Sequence, residues 1–208
     1  MLAFIAPGQG AQTPGMLTPW IAKPEALELL KAWSTEIDLD LVRLGTTADA
    51  DEIKDTANAQ PLIVAAGLLG ARALSDYRFA VVAGHSVGEI TAAALAGVIS
   101  EIDAMKLVRV RGVEMAKAAA LKPAGMAAVL GGDRTVVLKA ISDLGLVAAN
   151  DNGAGQIVAA GDLDALAQLA PDGARVRALA VAGAFHTSYM QSAGKPLRAL
   201  AAELTVAV

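Results

Sequence analysis

The sequence contains no cysteine among its 208 residues. A thiol nucleophile, a disulfide framework and a cysteine-based zinc site are thereby excluded, and a reducing compartment fits. Histidine is nearly as scarce, with His85 and His186 alone. Aromatic residues make up only 3% of the chain, so a core must be assembled from Ala, Val, Leu and Ile. No stretch approaches the roughly 18 uninterrupted apolar residues of a membrane span. The opening run, residues 1–6, is too short for a signal peptide and lacks a basic flank. Basic residues are scattered and outnumbered, 17 Lys and Arg against 21 Asp and Glu, for a net charge of −4. Without a basic stripe, a nucleic-acid platform is not expected. The expectation is a soluble, cytoplasmic protein that binds neither membrane nor nucleic acid.

What remains is a chain that is 55% hydrophobic, with a mean hydropathy of +0.49. Its length suits one domain, or one domain carrying a smaller insert. Residues 2–6 read as a short buried strand ended by Pro7-Gly8-Gln9-Gly10. Residues 17–34 are helical material, with Pro19 and Pro24 at helix starts or breaks. Residues 59–76 read as an apolar helix with Pro61 in its first turn. Residues 79–83 are a continuous apolar strand, residues 89–98 a buried helix and residues 101–120 another helix. Such alternation indicates a parallel sheet covered by helices.

From Gly125 the texture changes. Strands at 126–130, 147–150, 156–160 and 176–181 alternate with helices at 134–144 and 163–169. The order βαββαβ is that of a split βαβ, ferredoxin-like unit, inserted into the larger one. The expected boundaries are 1–124 for the large α/β part, 125–182 for the small subdomain and 183–208 for the return to the large part.

Gly84-His85-Ser86-Val87-Gly88 fits the G-x-S-x-G nucleophile elbow, with the apolar strand before it and the helix after it that the motif requires. The glycines let the turn close tightly and present the serine oxygen at the carboxyl end of a sheet. The helix N-terminus behind it offers unpaired N–H groups and a positive dipole end, suited to an oxyanion. The bare pattern is common, and an ordinary strand–turn–helix join is the plain alternative. A serine hydroxyl needs a base. His85, adjacent in sequence, points elsewhere and is expected to pack beneath the turn. His186, in a loop after a strand, is the base by elimination.

Pro7-Gly8-Gln9-Gly10-Ala11-Gln12 is a Gly-rich loop after the first strand. It fails the dinucleotide pattern G-x-G-x-x-G because Thr13 stands where the third glycine belongs. A loop lending a backbone N–H to an oxyanion fits better. Arg109 and Arg111 lie on an apolar helix two residues apart, so one is expected to face solvent and the other the interior. A buried Arg111 pairs either with a protein carboxylate or with one brought by a substrate. Glu89 reads as structural, a favourable charge at a helix start.

In this order, Gly8-Gln9-Gly10-Ala11-Gln12, Gly84-His85-Ser86-Val87-Gly88-Glu89, Arg111-Gly112, Asn150-x-Asn152 with Gln156, and Gly183-Ala184-Phe185-His186 resemble the malonyl-CoA:acyl carrier protein transacylases. These act in type II fatty acid synthesis and are related to the acyltransferase domains of polyketide synthases. The likeness runs from residue 3 to about residue 200. It implies an α/β-hydrolase-like core with a ferredoxin-like insert. It implies a ping-pong transfer from malonyl-CoA to a phosphopantetheinylated acyl carrier protein, with no permanently bound cofactor, no metal and a monomeric enzyme. Ser86 and His186 become the catalytic pair, and the backbone N–H groups of Gln9 and Val87 the oxyanion hole. Arg111 becomes the partner of malonate's free carboxylate, and Gln9 and Phe185 line the substrate. Family members continue past the histidine with another strand, a helix and an amide-bearing loop, so the C-terminal part of the core is expected to be missing here. Two rivals stand beside this reading. One is a serine hydrolase using Asp143, Asp151, Asp162 or Asp164 as its acid, and the other is an inactive domain that binds carrier protein.

Overall fold

The computed structural model describes residues 1–206. The chain divides into two compact units, residues 1–114 with the C-terminal segment from 196, and residues 115–195. The divisions fall inside helices, away from the expected limits at 124 and 182.

The first unit begins with strand β1 (Leu2–Ala6), followed by helices α1 (Thr18–Ile21), α2 (Pro24–Ile37), α3 (Leu41–Thr46), α4 (Ala50–Lys54) and α5 (Thr56–Ala73). Strand β2 (Phe79–Gly84), α6 (Gly88–Leu95) and α7 (Glu101–Leu121) complete its main part, α7 running on into the second unit. Pro24 opens α2, where its missing N–H costs nothing. The short helices α3 and α4 escape the periodicity argument, yet each has an aspartate cap. Asp40 accepts from the Arg43 N–H, and Asp49 from the Glu52 N–H.

Helix α5 starts three residues before its expected limit, because Asp55 caps it by accepting from the Ala57 N–H. Pro61 therefore sits inside the helix and not in its first turn. A proline there leaves the carbonyl four residues back without its helical donor. That carbonyl belongs to Ala57, and Arg109 Nη1 donates to it at 3.1 Å.

The core of this unit lies among its helices. Leu17, Leu30, Trp33, Leu41, Leu44, Leu62, Leu68 and Met105 are its large, fully enclosed side chains. Strands β1 and β2 pair in parallel, from Leu2 with Phe79 to Ala6 with Gly84. Helix α6 packs against both strands. The expected burial of β1 is not observed: Ala6 is its only buried residue, and Ile5 and Val81 are 65% and 51% exposed. An apolar run marks a strand that can be covered on both faces, but within these two strands much of that surface is open. The helix expected to be buried after Ser86 is buried over Ile90, Thr91 and Ala92, whereas Glu89 is exposed.

The second unit contains β3 (Ala124–Gly131), α8 (Arg134–Asp143), β4 (Val147–Asp151), β5 (Gln156–Asp162), α9 (Leu163–Gln168) and β6 (Ala174–Ala178). Its sheet has the order β4-β5-β3-β6, with β3 antiparallel to both neighbours and β4 antiparallel to β5. The βαββαβ order read from turn signals is the observed one, with β6 ending earlier than expected. One face of β3 and β5 is sealed by Val137 and Ile141 of α8 together with Leu146 and Leu169. Helix α10 (Gln191–Glu203) follows a single 3₁₀ turn at Ser188–Met190 and crosses into the C-terminal segment.

Candidate active site

The turn between β2 and α6 is built by glycines. A Cβ on Gly84 would collide with the backbone of Gly88 and Glu89, and one on Gly88 with the carbonyls of Ala6 and Pro7. The His85 N–H donates to the Ala6 carbonyl at 3.0 Å, fastening the turn to the end of β1. Between these anchors Ser86 is forced to a φ of 55°, a left-handed conformation unfavourable for a side-chain-bearing residue. Strain of this kind lifts the serine out of the strand-to-helix path. The His85 ring is exposed, contrary to its expected place beneath the turn. Gly8 explains the geometry, since a Cβ there would stand 2.6 Å from His85 Nδ1.

Val87, fully buried, caps α6. Gly88, Glu89 and Ile90 direct their N–H groups back to the carbonyls of His85, Ser86 and Val87. Among the described residues neither the Val87 nor the Gln9 backbone N–H carries a hydrogen bond. The Gln9 loop is held by its own side chains, Gln12 Oε1 accepting from the Gly10 N–H at 2.8 Å.

Arg111 reaches the same turn. Its Nη2 donates to Ser86 Oγ at 3.1 Å, and its Nη1 to Gln60 Oε1 at 2.6 Å. Burial pushes the Arg111 pKa down from its usual value, and the Glu89 charge opposes that shift. Among the described residues no carboxylate forms an ion pair with it. The helix carrying it can approach α5 because Gly112 has no side chain; a Cβ there would lie 2.9 Å from the Thr56 carbonyl. The expected split, one arginine to solvent and the other to the interior, is not observed. Both arginines are half-buried and both reach α5, one to the carbonyl freed by Pro61 and one to Gln60.

Gln60 is the residue that the sequence argument passed over. It is 1% exposed, and from Ala59 to Ala71 every other residue of the helix is apolar, so a buried amide in that run is itself a signal, because buried amides need partners. Its Nε2 donates to Gln9 Oε1 at 3.3 Å, and Gln9 Nε2 donates to Thr56 Oγ1 at 3.2 Å.

In the second unit, His186 is exposed and has a φ of 59°, again left-handed. Phe185 before it is buried with Met115, Ala118, Met126 and Val158. The hydroxyl of Thr187 donates to the Ala184 carbonyl at 2.6 Å, pinning the loop. Asn152 Nδ2 donates to Gln156 Oε1 at 3.1 Å across the β4–β5 hairpin. Asp143 is paired with Lys139, Asp151 with Arg134, and Asp162 caps α9. Three of the four acids a hydrolase could call on are thus engaged locally. Among the described residues no group of three or more His, Asp or Glu is placed to hold a metal ion.

The chain matches the acyl transferase domain family over residues 3–207. The curated malonyl CoA-acyl carrier protein transacylase of Mycobacterium tuberculosis is 57% identical over 215 residues, covering 100% of this chain and 71% of its own length. The crystal structure of MCAT from Mycobacterium tuberculosis superposes with a TM-score of 0.95 at 57% identity, again over 100% of this chain and 71% of that one. The malonyl-CoA:acyl carrier protein transacylase structure from Xanthomonas oryzae pv. oryzae gives 0.90 at 36% identity, covering 99% and 70%. With a family match over residues 3–207 and 57% identity across its whole length to a named transacylase, this chain belongs to the acyl transferase domain family.

Proposed function

We propose that the protein transfers a malonyl group from malonyl-CoA to the phosphopantetheine thiol of an acyl carrier protein, by way of a malonyl ester on Ser86. The observation that carries the reading is Arg111. A half-buried guanidinium, with no carboxylate ion-paired to it among the described residues, stands 3.1 Å from the nucleophile's oxygen. A carboxylate on the acyl group answers that charge, and malonyl carries one where acetyl does not.

In the forward half-reaction, His186 takes the Ser86 proton as Oγ attacks the thioester carbonyl. The developing oxyanion is met by the Gln9 and Val87 N–H groups. Collapse expels the coenzyme A sulfur, which recovers the proton from His186. The carrier's thiol then attacks the malonyl-serine ester by the same path in reverse, and Ser86 leaves with its proton restored. Phe185 shapes the wall beside His186. The first unit is taken as a hydrolase-like core and the second as a ferredoxin-like insert. The 57% identity over the whole chain to named transacylases supports the substrate pair.

The test is intact mass after incubation with malonyl-CoA, followed by holo carrier protein. A malonyl adduct mapping to Ser86, absent from Ser86→Ala and moving to the carrier, is the expected result. A folded chain that takes no adduct, or one that releases free malonate without loading the carrier, overturns it.

A further inference from the structure

We propose that Gln60 is a positioning residue that sets acyl selectivity, holding the Arg111 guanidinium through a neutral acceptor so that its charge stays available to the substrate's carboxylate. The inference rests on the malonyl-transfer reading above.

The argument begins with cost. An amide with 1% exposure is unfavourable unless both of its ends are paired. Gln60 meets that condition through two different partners: its Oε1 accepts from Arg111 Nη1, and its Nε2 donates to Gln9 Oε1. Gln9 in turn donates to Thr56, so the series Thr56–Gln9–Gln60–Arg111 links the Gly-rich loop to α5 and α7. The bond to the guanidinium is 2.6 Å, short for a neutral acceptor and strengthened by the charge on the donor. A buried arginine is ordinarily fixed by a carboxylate, which supplies geometry and cancels charge together. An amide oxygen supplies the geometry alone. The fork is thereby oriented on one side with, among the described residues, no carboxylate bonded to it and only the Glu89 charge acting on it from further off, and Nη2 is aimed at Ser86 Oγ. Substrate discrimination then follows: an acyl group with a carboxylate completes the pair, and one without it leaves a buried charge unanswered.

Gln60→Glu tests this directly, since it keeps the size and the acceptor but brings the missing charge. Initial rates of Ser86 loading are measured with malonyl-CoA and with acetyl-CoA, alongside thermal melts. The expected result is a fall of about 10- to 100-fold in kcat/KM for malonyl-CoA, seen mainly in KM. The acetyl-CoA value should change far less, so that the malonyl-to-acetyl ratio collapses. Gln60→Met serves if the Glu variant does not fold, because it fills the same space without an acceptor. It should also lower the ratio, by disorienting the fork. Equal losses on both substrates, or an unchanged ratio in the folded variants, overturn the proposal. A wild-type chain that does not load malonyl at all marks a failure of the functional reading, whereas wild-type loading with an unchanged variant ratio is a failure of the Gln60 assignment alone.

Discussion

The guanidinium of Arg111 donates to the hydroxyl oxygen of Ser86 at 3.1 Å, and does so from α7, 25 residues further along the chain. A cation this close makes the serine oxygen's surroundings favourable to negative charge and gives an incoming carboxylate a fixed partner. Replacing Arg111 by Ala should reduce kcat/KM for malonyl-CoA by about 10- to 100-fold, the worth of a charged hydrogen-bonded pair. Acetyl-CoA, which makes no such pair, should be handled equally well or better. Parallel kinetics on the two thioesters decide it, and a common loss on both would place Arg111 in structural support.

The positive φ of Ser86 carries a stability cost that catalysis retains. Ser86→Gly and Ser86→Ala both remove the nucleophile, but only glycine relieves the conformation. The glycine variant should therefore be the more stable of the two by about 1 kcal/mol, after allowance for glycine's greater freedom in the unfolded chain. Chemical denaturation midpoints measure the difference. Equal midpoints would mean the turn relaxes once the hydroxyl is gone.

Much of this was legible in the sequence, and the reasons for the exceptions are physical. The elbow announced itself because Gly84 and Gly88 are required by contacts within a few residues and with the end of β1. The four-stranded unit was legible because its turns carry Asp and Gly at short spacing. Gln60 was not, since its partners Gln9 and Arg111 lie 51 residues away on either side, and no periodicity reports such a meeting. The expected split between Arg109 and Arg111 fails for a related reason. Helical spacing separates the two, but a carbonyl released by Pro61 on another helix supplied Arg109 with a partner that spacing does not reveal. The exposed strands were misjudged because an apolar run reports what a strand can bury and not what covers it.

Asp151 provides a pH-dependent element outside the site. Its carboxylate accepts from Arg134 Nε at 2.8 Å and from the Gly153 N–H at 3.2 Å, and these bonds hold its pKa below the usual carboxylate value. A group whose pKa is lower in the folded state stabilises the fold above its unfolded pKa, here about 3.9, and loses that contribution as pH falls through the folded value. Asp151→Asn should thus melt earlier than the parent at neutral pH, with the two curves converging below about pH 4. A gap that persists in acid would assign the effect to the hairpin's shape and not to charge.

Thr91 lies on α6, five residues after the nucleophile, with no exposed surface and, among the described residues, an Oγ1 without a hydrogen-bond partner. Its neighbour explains its fit, if not its hydroxyl. A Cβ on Gly67 of α5 would come within 2.8 Å of Thr91 Cγ2, so the two helices meet through this pair. The methyl group does the packing while the hydroxyl is buried at a cost. Thr91→Val keeps the shape and removes the unpaired oxygen, and should raise stability by about 1 kcal/mol with loading of Ser86 unchanged. Gly67→Ala forces a methyl into the same contact and should lower stability by about 1–3 kcal/mol. If Val destabilises instead, the hydroxyl is bonded in solution and α6 depends on it. Thermal melts of both variants, read beside intact-mass loading, separate the packing of this helix from the chemistry at its start.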